Sequence, residues 1–488
     1  MSAFKGSNGI TFGPDDRLYV AEFLGGRISA VELATGQVDI VVPAGGAVQS
    51  PDDLAFGPDG SMYITDLVPG RVWRRDPAGD CTLVSDAVTM PNGITCVGDR
   101  LFVNEMRVGG RLLELFPGGG EPVVLVEGLA MGNAMQLGPD GCLYYPHMLT
   151  GEVFRVRPDG GEPELVAEDV TQPVAVRFDR EGTLFVLSRD ASGIVTRLDA
   201  AGGRRQILTT RIMGLDNAAF DDDNRMYVSS YASGGIAEVR PDGETRQIVP
   251  QGLVGPYGVT VDLGGAVHAA DHYRLTTPEG NELTPFAHGI VADRGRLHVT
   301  SQYGDVRTYD PTPRRRAAEL ARPIGIAVRD DGVLVVAEAD AGRVVAIDAD
   351  DTLTAVADGL DTPVDVVFDA QNRCYVSDER GVVHRIDDGQ PVPIAEGLDL
   401  PQGIAVRGPE LLVVEAGQRR LLAVDLATGA VHIEATDLDL DPPEHTRRAL
   451  FAAGLPGCPR PFAGVAVGPD GTVHLSVNGT VKRIPQRT

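Results

Sequence analysis

One motif recurs about every forty residues from one end of the chain to the other. It reads SNGITFGPDDRLYVAEF at 7–23, PDDLAFGPDGSMYITD at 51–66 and PNGITCVGDRLFVNE at 91–105, and it is still recognisable as AGVAVGPDGTVHLSV at 463–477. Self-similarity at a fixed period means that one supersecondary unit has been copied many times. The fold must therefore be built from a small unit that stacks on its own copies.

Each copy carries the local signals of strands and tight turns. A short apolar run is followed by a turn of the PDG type, and then by alternating runs such as SMYITD, RVWRRD and CTLVSD with further turns between them. Alternation with a period of two, broken by Gly, Pro and Asp, is typical of β-strands, and no helical spacing competes with it. Four short antiparallel strands make one blade of a β-propeller. The sequence therefore predicts an all-β fold.

The number of copies predicts two rings of blades. Twelve inner strands can be recognised, and they begin at Asn8, Asp52, Asn92, Asn133, Val174, Asp216, Tyr257, His288, Ile324, Val364, Gln402 and Ala463. Because one ring usually holds about four to eight blades, we predict two six-bladed β-propellers in tandem, over 1–255 and 256–488. The seam falls beside the repeat of Tyr257, where HYRLTTPEGNELTPF leaves little room for a full third strand.

A long insertion at 433–461 separates the last two repeats and is assigned to the second propeller. Within it, HTRRALFAAG follows a DPPE start and is ended by Gly454 and Pro456, which predicts a short helix. Insertions of this kind are often lids or docking elements, and a bland surface excursion is the other interpretation.

The acidic composition limits the kinds of partner. The 488 residues carry a formal net charge of −26, whereas nucleic acids and anionic membrane surfaces are bound by basic surfaces. We expect neither partner. No apolar segment approaches the ~20 residues that span a bilayer, and MSAFKGSNGI lacks a secretory signal, so we expect a cytoplasmic protein. The five cysteines contain no CxxC pair, and we expect free thiols.

Polar side chains are concentrated at one channel mouth. The first residue of an inner strand and the last residue of the second strand lie at the same end of the channel, because the two strands are antiparallel. In the first propeller the inner-strand positions carry three amides and two acids, whereas those of the second propeller are mostly apolar. The matching second-strand positions of the first propeller are Glu22, Asp66, Glu105, His147, Arg189 and Tyr231.

The amides and acids of the inner-strand positions predict a metal site. Neutral and anionic oxygens suit a hard divalent cation such as Ca²⁺, with Zn²⁺, Mg²⁺ or Mn²⁺ as alternatives. A cation would also relieve the repulsion between two carboxylates in one funnel. In the other interpretation, Asp or Asn before Gly satisfies the backbone of a turn. The predicted metal ligands are Asn8, Asp52, Asn92, Asn133 and Asp216.

The second-strand positions divide into structural and catalytic residues. Acids recur at this position in the second propeller, so Glu22, Asp66 and Glu105 are interpreted as residues that hold the neighbouring turn. His147, Arg189 and Tyr231 depart from that pattern in adjacent blades. A histidine can act as a ligand or base, an arginine can hold an oxyanion, and a tyrosine can donate a hydrogen bond. With Asp216 as a further base, these are the predicted catalytic residues.

The repeats PNGITCVGDRLFVNE and PDDLAFGPDGSMYITD resemble the SMP-30/gluconolactonase/LRE-like superfamily and its relatives with NHL repeats, and GRISAVELATGQV also resembles streptogramin lyases. The gluconolactonase resemblance implies a six-bladed propeller that holds one divalent cation through a Glu, two Asn and an Asp that is also the general base.

Carried over onto this sequence, Asn92 and Asn133 match the two amide ligands. Asp216 would be the Asp, one blade later than the family spacing because Val174 occupies the expected position. Asn8 stands where the family has its Glu, so Asp52 would supply the missing charge from the next blade.

These observations predict a metal-dependent hydrolase of the lactonase or esterase type, acting on a small cyclic or ester substrate at the first channel mouth. Two alternatives stay open. One is a metal-assisted lyase or cyclase on a substrate like a natural product, because a Lewis acid and a base do not determine the reaction type. The other is a non-catalytic NHL-type binding scaffold, in which the more apolar second propeller offers a surface for protein contact.

Overall fold

A computed structural model describes residues 4–198, 205–310, 312–441 and 448–485. The described residues form β-strands and turns without an α-helix. The chain divides into two compact units. The first contains Met1–Val254 and His445–Cys458, and the second contains Gly255–Glu444 and Pro459–Thr488. Part of the insertion between the last two repeats therefore belongs to the first unit.

The first unit contains six four-stranded antiparallel sheets, blades 1 to 6, each with its strands in chain order. Blades 1 to 3 are β1 (Ser7–Phe12), β2 (Leu18–Glu22), β3 (Arg27–Glu32), β4 (Gln37–Val42); β5 (Pro51–Phe56), β6 (Met62–Asp66), β7 (Arg71–Arg75), β8 (Cys81–Ser85); and β9 (Pro91–Val97), β10 (Arg100–Glu105), β11 (Val108–Leu115), β12 (Val123–Ala130). Blades 4 to 6 are β13 (Gln136–Leu137), β14 (Leu143–His147), β15 (Glu152–Val156), β16 (Glu164–Ala167); β17 (Pro173–Phe178), β18 (Leu184–Ser188), β19 (Ile194–Leu198), β20 (Arg205–Thr209); and β21 (Leu215–Phe220), β22 (Met226–Ser230), β23 (Ile236–Val239), β24 (Thr245–Val249).

The inner strands of this unit follow one another around a channel, and β21 lies against β1. Apolar side chains fill the layers between neighbouring blades. The layer that closes the ring contains Phe4, Ile10 and Val20 from the start of the chain together with Tyr227 and Ile236 of blade 6. The second strands, such as β2 and β6, are buried along their whole length, whereas the fourth strand β4 is mostly exposed. This burial places the core between the blades and around the channel.

The second unit contains five four-stranded sheets and one three-stranded sheet in its described residues, blades 7 to 12. Blades 7 to 9 are β25 (Val259–Val261), β26 (Val267–Ala270), β27 (His272–Thr277), β28 (Gly280–Ala287); β29 (Ile290–Asp293), β30 (Arg296–Thr300), β31 (Val306–Asp310), β32 (Thr312–Ala317); and β33 (Pro323–Val328), β34 (Leu334–Glu338), β35 (Arg343–Ile347), β36 (Leu353–Ala357). Blades 10 to 12 are β37 (Pro363–Phe368), β38 (Cys374–Asp378), β39 (Val382–Asp387), β40 (Gln390–Glu396); β41 (Pro401–Arg407), β42 (Glu410–Glu415), β43 (Arg420–Asp425), β44 (Val431–Ala435); and β47 (Val465–Val467), β48 (Val473–Val477), β49 (Thr480–Ile484).

In the second unit, β25 lies against β29 on one side and against β47 on the other, so its inner strands also follow one another around a channel. The predicted all-β fold of tandem propellers is confirmed. The expectation of a shortened blade at Tyr257 is wrong, because blade 7 has a full third strand in β27 and a long fourth strand in β28.

The insertion contains a small hairpin, β45 (Phe451–Ala452) and β46 (Leu455–Pro456), which belongs to the first unit. Its turn residues Ala453 and Gly454 both have positive φ, at 47° and 82°, which is the geometry of a type I′ hairpin turn. The predicted helix is therefore wrong for residues 448–454. Residues 445–447 of that prediction lie outside the described residues.

None of the described segments forms a helix with the length and hydropathy of a bilayer crossing. The five cysteines are free thiols, as predicted, and Cys142, Cys374 and Cys458 are buried.

Candidate functional site

In the first unit the inner-strand starts and the second-strand ends meet at the same end of the channel. Pro51 at the start of β5 pairs with Asp66 at the end of β6, and equivalent pairs occur in blades 1, 3, 5 and 6. The pairing shifts register between Pro51 and Leu54. Such an irregularity re-aims the side chains that follow, and Asp52 is the first of them.

Asp52 and Asp216, on blades 2 and 6, carry the negative charge of this mouth. They are 5% and 8% exposed. Burial raises the pKa of Asp52 well above its usual range, and the charges of Asp216 and Asp53 raise it further. Burial also raises the pKa of Asp216, to about 7. Two carboxyl groups in one buried site repel each other when both are ionised, so this mouth favours a cation between or beside them.

Arg189 supplies positive charge at the same mouth. It follows β18 directly, and its charge lowers the pKa of both Asp52 and Asp216 against the effect of burial. The guanidinium carbon lies 4.4 Å from the centroid of the Tyr231 ring, and Tyr231 follows β22. Stacking on an aromatic face holds the planar guanidinium in a defined place. The structure therefore brings Arg189 and Tyr231 together beside the carboxylate pair.

The three amides of the mouth differ in what their oxygens do. The Asn8 side chain lies beside Asp52 and lowers the pKa of its carboxyl group. Asn92 Nδ2 donates to Asp52 Oδ1 at 3.1 Å. The Oδ1 atoms of Asn8 and Asn92 are buried and have no hydrogen-bond partner in the part of the chain that the structure describes. Asn133 Oδ1 instead accepts a hydrogen bond from the backbone N of Ala134 at 2.7 Å. The Asn133 oxygen therefore already has one donor, unlike the other two, and its predicted role as a metal ligand stays a prediction.

His147 contacts its own blade. Its Nδ1 lies 3.8 Å from Glu152 Oε2, and its ring centroid lies 4.7 Å from that of Phe154. Burial lowers its pKa. These contacts are all within blade 4, so the structure does not join His147 to the carboxylate pair as it joins Arg189.

The acids that end the other second strands hold the loop before their own inner strand. Glu22 accepts a hydrogen bond from Lys5 N at 3.2 Å, Asp66 from Ser50 N at 2.6 Å, and Glu105 from Thr89 N at 2.9 Å. The second unit repeats this contact. Asp271, Glu338, Asp378 and Glu415 accept hydrogen bonds from the backbone N of Gly255, Ala321, Thr362 and Asp399. These acids have the structural role that the sequence predicted.

Residues 448–458, which we call the strap, lie across the mouth. Arg448 donates to the backbone oxygens of Phe23, Leu24 and Gln49 at 3.1, 2.7 and 3.1 Å. These carbonyl groups border the mouth ends of β2 and β5. On the other side of the ring, Leu455 packs against the apolar cluster of blades 4 to 6 that contains Met131, Met148 and Val174. The strap therefore spans the mouth from blades 1 and 2 to blades 4 to 6.

The structure also shows a charged network inside the channel that the sequence argument missed. Asn217 Nδ2 donates to Asp53 Oδ1 at 3.0 Å, and Arg177 Nη2 lies 3.7 Å from Asp53 Oδ2. Arg177 also donates to the backbone oxygens of Met135 and Ala218, each at 3.0 Å. A charged residue inside the otherwise apolar inner strand PVAVRF was the signal that could have revealed it.

A cavity of about 640 Å³ lies on the other side of this network. It is lined by the later residues of the inner strands, including Phe12, Phe56, Phe178 and Arg177. The cavity and the carboxylate pair thus lie at different levels of the channel, and Arg177 stands between the two.

The mouth of the second unit is richer in apolar side chains than the first, and it also holds polar groups. Phe462 packs against Ile324 and Val364 there. His272 Nδ1 and His288 Nε2 are 2.9 Å apart beside the ring of Tyr257. One buried carboxylate is present as well: Glu379 accepts a hydrogen bond from Gln402 Nε2 at 3.3 Å and lies 2.5 Å from Arg460 Nη1. The acid of this mouth is thus paired with an arginine, and apolar and aromatic side chains fill most of the rest.

The residues of the first mouth fit a hard divalent cation. The described residues bring no three His, Cys, Asp or Glu side chains together as metal ligands, so a cation here depends on amide oxygens. Asn8 and Asn92 each offer a buried amide oxygen that lacks a hydrogen-bond donor, next to the carboxylates of Asp52 and Asp216. Carboxylate and amide oxygens are the ligands that Ca²⁺ prefers.

No family model and no curated protein match the chain. Among solved structures it is similar to a streptogramin B lyase, with 16% identity and a TM-score of 0.42 over 55% of this chain and 90% of that one. It is also similar to a gluconolactonase from Xanthomonas campestris, with 17% identity and a TM-score of 0.41 over 47% and 84% of the two chains. A calcium-binding protein, regucalcin, from Agrobacterium tumefaciens has 19% identity and a TM-score of 0.41 over 46% and 82%.

A gluconolactonase and a streptogramin lyase, which the repeats resemble, are thus among the similar solved structures. Likeness at these values says nothing about ligand or reaction, because one fold supports many functions. The function has to be argued from the residues of the site.

Proposed function

We propose that the mouth of the first unit's channel is the active site of a metal-dependent hydrolase of a lactone or ester, with Ca²⁺ as the preferred cation. The carboxylate pair of Asp52 and Asp216 carries this proposal. The pair is buried within a ring of amides, next to a stacked arginine. Burying two acids together costs free energy, and acids with pKa values raised in this way are typical of functional sites.

The oxygens of Asp52, Asn8 and Asn92 would hold the cation. When bound, the cation supplies a Lewis acid that polarises the carbonyl group of the substrate. Asp216 is on blade 6 and Asp52 is on blade 2, with blade 1 between them. Asp216 would accept the proton of the attacking water. A buried carboxylate is a stronger base than an exposed one, which suits it to that role.

Arg189 would stabilise the negative charge that develops on the carbonyl oxygen as water adds. Its stacking on Tyr231 fixes the guanidinium before substrate binds, and donors that are fixed in advance stabilise a transition state most effectively. The Tyr231 hydroxyl would donate a hydrogen bond to the substrate. His147, whose contacts are with its own blade, is left out of the reaction.

The test compares four proteins for metal content and for hydrolysis of a panel of lactones and aryl esters. These are the wild type, Asp52→Asn and Asp216→Asn, with Asp222→Asn as the matched control. Asp222 is on the same blade as Asp216, but its side chain is 87% exposed. Each substitution at the mouth removes one of two repelling charges, so the variants are expected to fold.

We expect about one equivalent of metal in the wild type and the control, and loss of metal in Asp52→Asn. We expect Asp216→Asn to lower kcat by roughly 10²-fold to 10⁴-fold, the usual contribution of a general base. A wild type that holds no metal, and whose hydrolysis is unchanged by a chelator, would contradict the metal part of the proposal. No turnover of any lactone or ester by metal-loaded protein would contradict the hydrolase and favour a binding propeller.

A further inference from the structure

The channel of the second unit contains a buried carboxylate, Asp365, in β37. Its side chain is almost fully enclosed, and the residue is 9% exposed. Its Oδ1 accepts a hydrogen bond from Val366 N at 2.9 Å, and its Oδ2 accepts one from Ile404 N of the next blade at 2.8 Å. The carboxylate therefore ties two inner strands together, and both oxygens have capacity for a further donor.

Asp53 has the same arrangement in the first unit. Its Oδ2 accepts a hydrogen bond from Ile94 N of the next blade at 3.3 Å. Each carboxylate also lies against a glycine of the preceding blade, Gly9 for Asp53 and Gly325 for Asp365, in the space where a Cβ would stand. The two units thus place one acid at the same position of their inner strands, in equivalent surroundings.

The two acids differ in their cation. Arg177 lies beside Asp53 and lines the cavity of about 640 Å³, whereas Asp53 does not line it. In the second unit the residues at the level of Arg177 carry no charge. They are Thr260, Val291, Ala327, Val367, Ala405 and Ala466. Asp365 itself therefore lines a cavity, of about 220 Å³.

No other lining residue of this cavity is titratable. The residues around Asp365 come from β25, β29, β33, β41 and β47 and are glycines, threonine and aliphatic side chains, with Phe462 at the mouth. An ionised carboxylate in such surroundings has a high free energy unless a positive group reaches it. At the equivalent position of the first unit, the chain itself supplies a cation to Asp53, the guanidinium group of Arg177.

We propose that the channel of the second unit binds a small organic cation with N–H donors, an alkylammonium or a guanidinium group, against Asp365. The cavity volume is enough for such a group with a short alkyl chain. The aliphatic wall suits the chain, and the carboxylate suits the charged end. This site is independent of the carboxylate pair in the first unit, so it stands or falls without the proposed hydrolase.

Burial raises the pKa of Asp365 to about 7. A cation binds the ionised form, so its affinity should increase as the pH rises from 6 to 8 and then level off. Carboxyl and cation would then form a buried pair with the two backbone N–H groups completing the coordination of the oxygens.

The test is calorimetric titration of the whole protein with methylguanidinium chloride at pH 8, at constant ionic strength. We expect saturable binding near one equivalent, at least tenfold weaker at pH 6. Asp365→Asn should abolish it, whereas the matched control Asp222→Asn should retain it. Retention of binding in Asp365→Asn would locate the cation on the acidic surface and overturn the proposal, as would a wild type without saturable binding.

A second variant covers the case in which Asp365→Asn fails to fold. Thr260 lies three blades round the ring from Asp365, as Arg177 does from Asp53, and at the same level of its inner strand. Thr260→Arg should place a guanidinium beside Asp365. It should abolish methylguanidinium binding and raise the melting temperature at pH 8. A folded Thr260→Arg that still binds the cation as the wild type does would contradict the assigned position.

Discussion

Buried carboxylates lie in both channels, and the groups around each carboxylate differ. Asp53 has Arg177 as a cation, and the pair Asp52 and Asp216 has Arg189. Asp365 has backbone N–H groups alone among its described partners. These aspartates are buried to a similar degree but differ in their surroundings. Asp53 forms an ion pair with Arg177, Asp52 and Asp216 form the acid pair of the proposed metal site, and Asp365 has no cation among its described partners.

Asp365 gives a prediction about stability and pH. Its pKa in the folded protein is about 7, above the value of about 3.9 in an unfolded chain. Its contribution to stability is therefore complete below the unfolded value and is lost as the pH rises through 7. Asp365→Asn should remove this loss. Relative to the wild type, the variant should gain on the order of a few kcal/mol between pH 4 and pH 8.

The measurement is urea unfolding at several pH values in a buffer without organic cations, with Asp222→Asn as the control for an exposed acid. Equal pH dependence in Asp365→Asn and the wild type would show that the carboxyl ionises in the folded state without cost.

The site residues divide sharply into those that the sequence could reveal and those that it could not. The repeat placed Asn8, Asp52, Asn92 and Asp216 at one mouth because position in the repeat determines position in the ring. It could not show that Asn133 turns its oxygen to its own backbone, since that depends on one side-chain torsion. The network of Asp53, Arg177 and Asn217 was missed for another reason. The alternating sequence pattern indicates which face of a strand a side chain is on, but not how far along the channel a long side chain such as Arg177 extends.

At the scale of elements, the strap is the largest departure from the predicted first unit, because the sequence analysis assigned its residues to the second propeller. The strap contains a hairpin and lies across the mouth, and Arg448 makes three polar contacts with the loops at the mouth. Three carbonyl groups accept hydrogen bonds from one guanidinium. In the proposed function, the strap would cover the site, and release of this attachment would admit the substrate.

Arg448→Ala should loosen the cover. Hydrogen bonds to a charged group each contribute about 1.5–3 kcal/mol, and this residue makes three. We expect faster proteolytic cleavage within 448–458, faster removal of metal by a chelator, and a higher rate of substrate binding. Arg180→Ala is the control, because Arg180 pairs with Asp222 on the surface of the same unit. Cleavage and metal release that match the wild type would mean that apolar packing at Leu455 holds the strap without the arginine.

The sequence predicted most of the strands correctly, but it did not predict the strands of blade 7 or of the strap. Regular turns every few residues specify where a strand ends, and the repeats reinforce one another. Blade 7 and the strap lack that support. HYRLTTPEGNELTPF forms two strands because pairing with β26 overrides weak local signals. Residues 451–456 form a hairpin because Ala453 and Gly454 adopt positive φ, a choice that helix propensity does not reveal.

At the scale of the whole molecule, each unit has its own ring of inner strands and its own apolar layers. Phe4 of the first unit and Phe462 of the second lie in separate clusters. Units that bury separate cores can unfold in separate steps, and a ligand raises the stability of the unit that binds it. The position of each proposed site is therefore testable in a single calorimetric experiment.

Two variants assign the transitions. Asp66→Ala removes the acceptor of the Ser50 N–H in the first unit, and Asp378→Ala removes that of the Thr362 N–H in the second. Each leaves buried donors unsatisfied, at about 1–3 kcal/mol per group, so each should lower one melting transition by roughly 5–10 °C and leave the other unchanged.

Ca²⁺ should then raise the transition that Asp66→Ala lowers, and methylguanidinium at pH 8 should raise the transition that Asp378→Ala lowers. At a hundredfold excess over Kd, each ligand should stabilise its unit by about 2.7 kcal/mol. If Ca²⁺ raises the transition of the second unit, the metal site is misplaced; if both variants lower one common transition equally, the two units unfold together and the ligand shifts cannot be divided between them.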